Sequence, residues 1–290
     1  MNGKESVKVE SIVDLMRREI PLEPCWIEPG ILPKGGKLLF GGHAKIGKSM
    51  VMLQLGADLA TGETPFLCPH FKIPHPVKVL LVEKELATLG LQLRTKTAYT
   101  SRKVELLEKN FYYSSRDSRL RLDTVEGHKA FMEVIDEIRP DVLLLDPIGK
   151  MHTLDENSNS DISELFDVLD RFLNFGKEWG MSLIFSHHFG KPPKDTRIEH
   201  DPLDPYNFRG ASKWFDDPDT LVTLSRVGNL PVDHLAWRLV SRWTTRQSEP
   251  PPDLHFTVNA NKDLRVLYER GLTEPSKVRS SGAKLPLLRV

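Results

Sequence analysis

Cysteine is almost missing from this chain: Cys25 and Cys68 are the only two among 290 residues. Two thiols so placed build neither a disulfide framework nor a cysteine metal cluster, and the scarcity suits a reducing compartment. Net charge is missing too, with 40 Lys and Arg against 40 Asp and Glu. Bulk electrostatics therefore announce no nucleic-acid partner, and any contact with DNA or RNA must come from local patches. No apolar run approaches the length of about 18 residues that a membrane span requires, the first residues carry no basic-then-apolar leader, and no internal repeat is visible. The expectation is a cytoplasmic protein without a membrane partner. What is present, 39% hydrophobic and 28% charged residues, suits one large domain with small appendages and a sizeable core.

The most informative stretch is Gly42-His43-Ala44-Lys45-Ile46-Gly47-Lys48-Ser49, which fits the phosphate-loop pattern G-x-x-x-x-G-K-[ST]. Before it, Lys37 to Phe40 reads as a short buried strand. After it, Met50, Leu53, Ala57 and Ala60 recur at helical spacing. A glycine-rich strand-to-helix turn points successive N–H groups at an anion, and the helix terminus adds partial positive charge. Gly42 through Met50 are thus nucleotide-binding candidates, with Lys48 on the β- and γ-phosphates and the Ser49 hydroxyl on Mg²⁺.

The rest of the chain alternates. Strands are predicted at 77–83, 111–114, 141–146 and 181–188, and helices at 88–100, 124–138 and 162–179. Near-continuous apolar strands separated by helices mean a mainly parallel α/β sheet buried on both faces. After His188 the grammar changes: 190–208 is rich in Pro, Asp and Lys, and strand-like runs follow at 220–225, 235–241, 255–258 and 264–268. Their close spacing predicts antiparallel additions at one edge. The proline-punctuated 1–30 reads as an N-terminal arm, 31–270 as the domain, and the basic 271–290 as a flexible tail.

Acidic residues at strand ends complete a nucleotide site. Asp146, ending Val142-Leu143-Leu144-Leu145, suits a Mg²⁺ ligand, although an Asp opening the turn at Pro147 is an equally ordinary reading. Glu83 and Glu85 end the second predicted strand, and Glu85, just past it, is the better candidate to activate water. His187 and His188 are neighbours on one strand and point to opposite faces, so at most one looks into the site. The same opposition disfavours a zinc pair.

The combination of Gly42–Ser49, Val82-Glu83-Lys84-Glu85, Leu145-Asp146, Phe185-Ser186-His187-His188 and Arg209-Gly210-Ala211-Ser212 resembles the RecA-like ATPases. Within them it is similar to the RepA-type hexameric helicases of broad-host-range plasmids and their phage and chromosomal relatives. The resemblance implies a RecA-like P-loop core, ATP and Mg²⁺ as cofactors, and a homo-oligomeric ring, a hexamer. It implies Glu85 as catalytic glutamate and His188 as γ-phosphate sensor, with His187 in reserve. Arg209 is implied as a finger into the neighbouring subunit's site, and Arg94 as a second intersubunit arginine. It also casts 151–160 and 190–208 as loops gripping single-stranded DNA, with Lys191, Lys194 and Arg197 on phosphates. The acidic Asp155, Glu156, Asp195, Glu199, Asp201 and Asp204 depart from that pattern. The implied output is translocation on, or unwinding of, DNA in replication of a plasmid, phage or mobile element, with a replication initiator or loading partner. The alternatives are an ATPase that remodels or loads protein–DNA complexes and a nucleotide-switched scaffold with slow turnover.

Overall fold

The computed structural model describes residues 10–19, 24–99, 102–115, 119–190, 200–208, 210–227, 236–259 and 265–269. Arg209, Lys191, Lys194, Arg197, Asp195, Glu199 and the tail 271–290 lie outside the described residues.

A nine-stranded sheet forms the frame. In chain order its strands are β3 (Lys37–Gly42), β4 (Val79–Glu83), β5 (Phe111–Ser115), β6 (Val142–Asp146), β7 (Ser182–His188), β8 (Thr220–Arg226), β9 (Ala236–Thr245), β10 (Leu254–Asn259) and β11 (Val266–Tyr268). Across the sheet they run β11-β10-β9-β8-β3-β7-β6-β4-β5. A separate two-stranded ribbon pairs β1 (Cys25–Ile27) with β2 (Leu32–Pro33). The six strands from β8 to β5 are all parallel, so their C-terminal ends form one crest. The apolar runs of β3, β4 and β6 are buried at every position, as expected for strands covered on both faces.

Helices cover the two faces. On one lie α2 (Lys48–Thr61), α3 (Thr88–Tyr99) and α4 (Val104–Asn110), whose Leu53, Leu59 and Leu91 share a core with Leu38, Leu81 and Leu144. On the other lie α5 (Val125–Ile138) and α6 (Asn159–Phe175), where Phe131, Leu165, Phe166 and Leu169 pack on Leu39, Leu143 and Leu183. Each such side chain contributes about 1.5–3 kcal/mol on burial, which is what pins the helices to the sheet. Thr124 and Ser158 start α5 and α6 by accepting the N–H of Gly127 and Asp161. A short helix, α1 (Ile12–Arg17), precedes the ribbon, and α7 (Lys213–Asp216) precedes β8.

Two features differ from the sequence expectation. β8 runs parallel to β3, pairing Leu38 with Thr220 and Gly41 with Thr223, and only β9 to β11 are antiparallel. A parallel partner needs a long crossover, usually a helix. Here that crossover contains only a short 3₁₀ turn and the four-residue α7 among its described residues, so no helical period announces it. The core also reaches into the expected arm. Trp26 and Ile27 are buried, and the Trp26 indole donates to Gly180 O at 2.9 Å. Among the described residues no helix is long and apolar enough to cross a membrane.

Candidate functional site

The crest carries a cleft of about 410 Å³ between the end of β3 and the ends of β4, β6, β7 and β8. Its lining holds four cationic side chains, Lys45, Lys48, Arg94 and Arg226, against two carboxylates, Glu85 and Asp146. That excess of positive charge suits a polyphosphate.

The loop from β3 to α2 builds the floor. Gly47 stands at φ +117° immediately before α2, a conformation glycine adopts without steric cost, and so turns the chain into the helix. Gly42 lies where a side chain would strike Leu224 O at 2.7 Å, which lets the loop lie close against β8. Lys45, Gly47, Lys48, Ser49 and Met50 line the cleft. Ile46 is buried at the back of the loop, and Ala44 is exposed. The His43 ring stands edge-on to Phe189 at 5.6 Å and lies 6.3 Å from His200. Burial, then the His200 and Lys48 charges, hold its pKa below the usual imidazole value.

Lys48 is 5% exposed and donates to Gly42 O at 2.8 Å and His43 O at 3.0 Å. It also lies 3.0 Å from His188 Nδ1. Burial pulls its pKa down to about 8, against the opposing pull of Asp146 and Glu85. An ammonium only donates, so His188 Nδ1 accepts from it and the ring proton sits on Nε2, 3.7 Å from Glu85 Oε1. Desolvation, then Lys48, keep the His188 pKa low and the ring neutral.

Asp146 is buried at the end of β6 and accepts the Ser186 hydroxyl at 2.5 Å and the Ser49 hydroxyl as well. Burial raises its pKa; the two hydroxyls, and more weakly Lys48, oppose the shift. Ser49 and Asp146 thus form an oxygen-only pair on a carboxylate short of positive charge. That donor set fits a hard dication such as Mg²⁺.

The paired candidates separate cleanly. Glu83 is 1% exposed, and its carboxylate accepts the N–H of Glu85 at 2.9 Å and of Leu86 at 2.7 Å. Glu83 therefore shapes the turn after β4, while the Glu85 carboxylate faces the cleft. His187 is 1% exposed on the opposite sheet face, stacked on Trp214 at 4.1 Å and on Phe208 at 6.2 Å. His188 lines the cleft, so one histidine of the pair looks into the site. Arg94 borders the cleft of its own chain, whereas the resemblance gave it a role between subunits.

Two polar lining residues were not singled out from sequence. Ser186 is one: a hydroxyl two residues before His188, directly after the apolar Leu183-Ile184-Phe185, was a usable signal. Arg226 is the other; it ends β8 and donates from Nη2 to Lys45 O at 3.2 Å. A charge closing an apolar strand hinted at it, but the neighbourhood of β8 and β3 was not legible.

The two loops expected to grip DNA are partly described. In 151–158, Met151 O accepts from Leu122 N, and the Thr153 N–H and hydroxyl both bind Asp123 at 2.6 and 2.7 Å. Glu156 O accepts the Ala211 N–H at 2.8 Å. In 200–208, Asp201 pairs with Arg242, and Leu203 O accepts the Thr223 hydroxyl at 2.7 Å.

Comparison with known proteins agrees with this geometry. A family profile described as an AAA domain matches residues 5–194. Among solved structures, the chain is similar to the flagellar accessory protein FlaH from Methanocaldococcus jannaschii, with a TM-score of 0.53 and 13% identity over 82% of this chain and 91% of that one. No curated protein matches. At that identity the structural likeness speaks for the fold alone, a RecA-like core with antiparallel strands at the C-terminal edge. The profile spans about two thirds of the chain, phosphate loop, β4, β6 and β7 included, and on that ground the chain belongs to the AAA domain family of P-loop ATPases.

Proposed function

We propose that the chain hydrolyses Mg-ATP at this cleft and works as a ring-forming motor on single-stranded DNA. The observation that carries the chemistry is the meeting of Lys48, Ser49, Asp146, Glu85 and His188, drawn from four strand ends, around one volume. Lys48 leaves the Gly42 and His43 carbonyls for the β- and γ-phosphates. Ser49 and Asp146 hold Mg²⁺, which when bound offsets charge on the phosphate oxygens. Glu85 orients the attacking water and accepts its proton, held toward the cleft by the turn that Glu83 ties down. His188, between Lys48 and Glu85, senses the γ-phosphate through the lysine and passes its presence to the carboxylate.

The ring and its DNA are carried by the likeness to the RepA-type helicases. In a hexamer Arg209 would complete the neighbour's site, stabilising transition-state charge across the interface. The biological setting on this reading is replication of a plasmid, phage or mobile element, with an initiator or loader as partner.

One observation favours a second reading. The 151–158 loop is acidic and tied down by hydrogen bonds from Thr153 to Asp123, from Ser158 to Asp161 and from Asn157 to Asp155, which suits a remodelling ATPase or an ATP-switched scaffold better than a phosphate grip. ATP turnover with and without single-stranded DNA, across a salt series, separates the two. Stimulation that fades as salt rises is expected of the motor. A rate indifferent to DNA would discard it in favour of the remodelling ATPase or the switch. In the same assay Glu85→Gln should lower kcat about 10³-fold while ATP still binds. An unchanged rate would remove Glu85 from the chemistry.

A further inference from the structure

Arg226 has no part in the reaction described above, yet it stands on the wall of the same cleft. Sheet order says which part of a nucleotide it meets. Beyond Lys48 and Ser49 of the loop itself, the groups for metal, water and γ-phosphate, Asp146, Glu85 and His188, come from the ends of β6, β4 and β7, all on one side of β3. β8 is the neighbour on the other side. A triphosphate seated on the loop with its terminal phosphate toward Glu85 and Asp146 must send its α-phosphate and nucleoside the opposite way. That path runs toward the end of β8.

Register puts Arg226 at the right height. Thr223 is level with Gly41, so Arg226, three residues further along a parallel strand, rises beside the loop itself. Its Nη2 donates to the carbonyl of Lys45, a non-glycine residue held at φ +63°. A guanidinium carries five N–H donors in a fixed fork whose geometry matches a phosphate as well as a carbonyl. Its charge is exposed at the cleft edge, where an anion arriving from solvent can meet it.

Resting on the ATP reading, we propose that Arg226 is a nucleotide-binding residue of the same subunit that pairs with the α-phosphate and anchors the nucleoside end of ATP and ADP alike. It therefore sets affinity rather than the chemical step, and it does so without a neighbouring subunit. This separates it from an arginine finger, which acts on the γ-phosphate and on kcat.

The test is calorimetric titration of ADP and of β,γ-imido-ATP into wild type, Arg226→Ala, Arg226→Lys and Arg226→Gln, with steady-state ATP turnover beside it. Removing one charge-assisted contact should weaken both ligands by the same factor, about 10- to 100-fold, and raise KM to match. The kcat should fall by less than about threefold. Lysine, which keeps the charge, should recover most of the affinity. Glutamine, which keeps a donor for the Lys45 carbonyl but no charge, should recover little. Unchanged binding in Arg226→Ala, a loss confined to the triphosphate analogue, a collapse of kcat, or full rescue by glutamine would each overturn the assignment. If wild type bound neither nucleotide, the ATP reading would fall with it.

Discussion

Two buried lysines bracket strand β3 and are kept in opposite ways. Lys37 opens the strand at the foot of the sheet, and its Nζ is held by Asp170 at 2.8 Å and by Asp217, over the Phe166 ring. Burial pulls its pKa down, but those two carboxylates more than restore it, and the net shift is upward. Lys48 follows the strand at the crest, where carbonyls and a neutral imidazole are its hydrogen-bond partners and burial wins. A lysine paired with carboxylates is a fastening. One buried among neutral acceptors is short of negative charge, and an incoming phosphate supplies it. Around β3 the foot is closed by ion pairs and the crest is left electrostatically incomplete.

Removing each lysine should expose that division, and the larger effect belongs to the crest. Lys48→Met is expected to cut ATP turnover by at least about 10³-fold, since it removes the cation that meets the developing phosphate charge. Its thermal midpoint should not fall, because a poorly compensated buried charge goes with it. A midpoint well below wild type would mean that Lys48 is a fastening too. Lys37→Met should do the reverse and lower stability by about 2–3 kcal/mol, leaving Asp217 and Asp170 facing each other. That figure sits low in the range for broken buried pairs because Asp170 is half exposed. Turnover per folded molecule should be retained, as measured by denaturant titration beside an ATPase assay.

The smallest expected effect is a pH response. Lys48 must be protonated to pair with phosphate, and its pKa in the free protein is about 8. Nucleotide affinity should be flat below pH 8 and fall above it, by at most tenfold per unit, until the raised pKa of the complex is reached. The Lys37 pKa is raised on folding, so its contribution is fully present below the unfolded value of 10.5 and lost only as pH climbs through the folded one. Between pH 7 and 9.5, ADP affinity should therefore slope while the Lys37 contribution to stability stays level. An affinity equally flat across that window would place the lysine's pKa elsewhere.

Much of this was legible in the chain itself. The phosphate loop, the strand before it and the helix after it are local patterns, and each lies where the sequence put it. The alternation of apolar strands with amphipathic helices announced the parallel sheet. Ser158 and Thr124 opened their helices within a few residues of the expected starts. The ribbon Cys25–Ile27 with Leu32–Pro33 was missed because strands of three and two residues among prolines carry no usable period. Helix α4 was missed because seven residues span barely two turns.

What the sequence determined alone is the inventory of the site: a loop that turns by glycine, a lysine and a serine after it, and acids and histidines at strand ends. Those are consequences of neighbouring residues, and backbone geometry enforces them within a few positions. Only the tertiary structure decided which member of each pair serves the cleft. Glu83 is spent on backbone N–H groups while Glu85 faces inward, and His187 lies between aromatic rings on the far face while His188 meets Lys48. Strand order was equally beyond local reading. The choice of β8 as the parallel neighbour of β3 brings Arg226 to the loop, and it rests on packing between segments far apart in the chain.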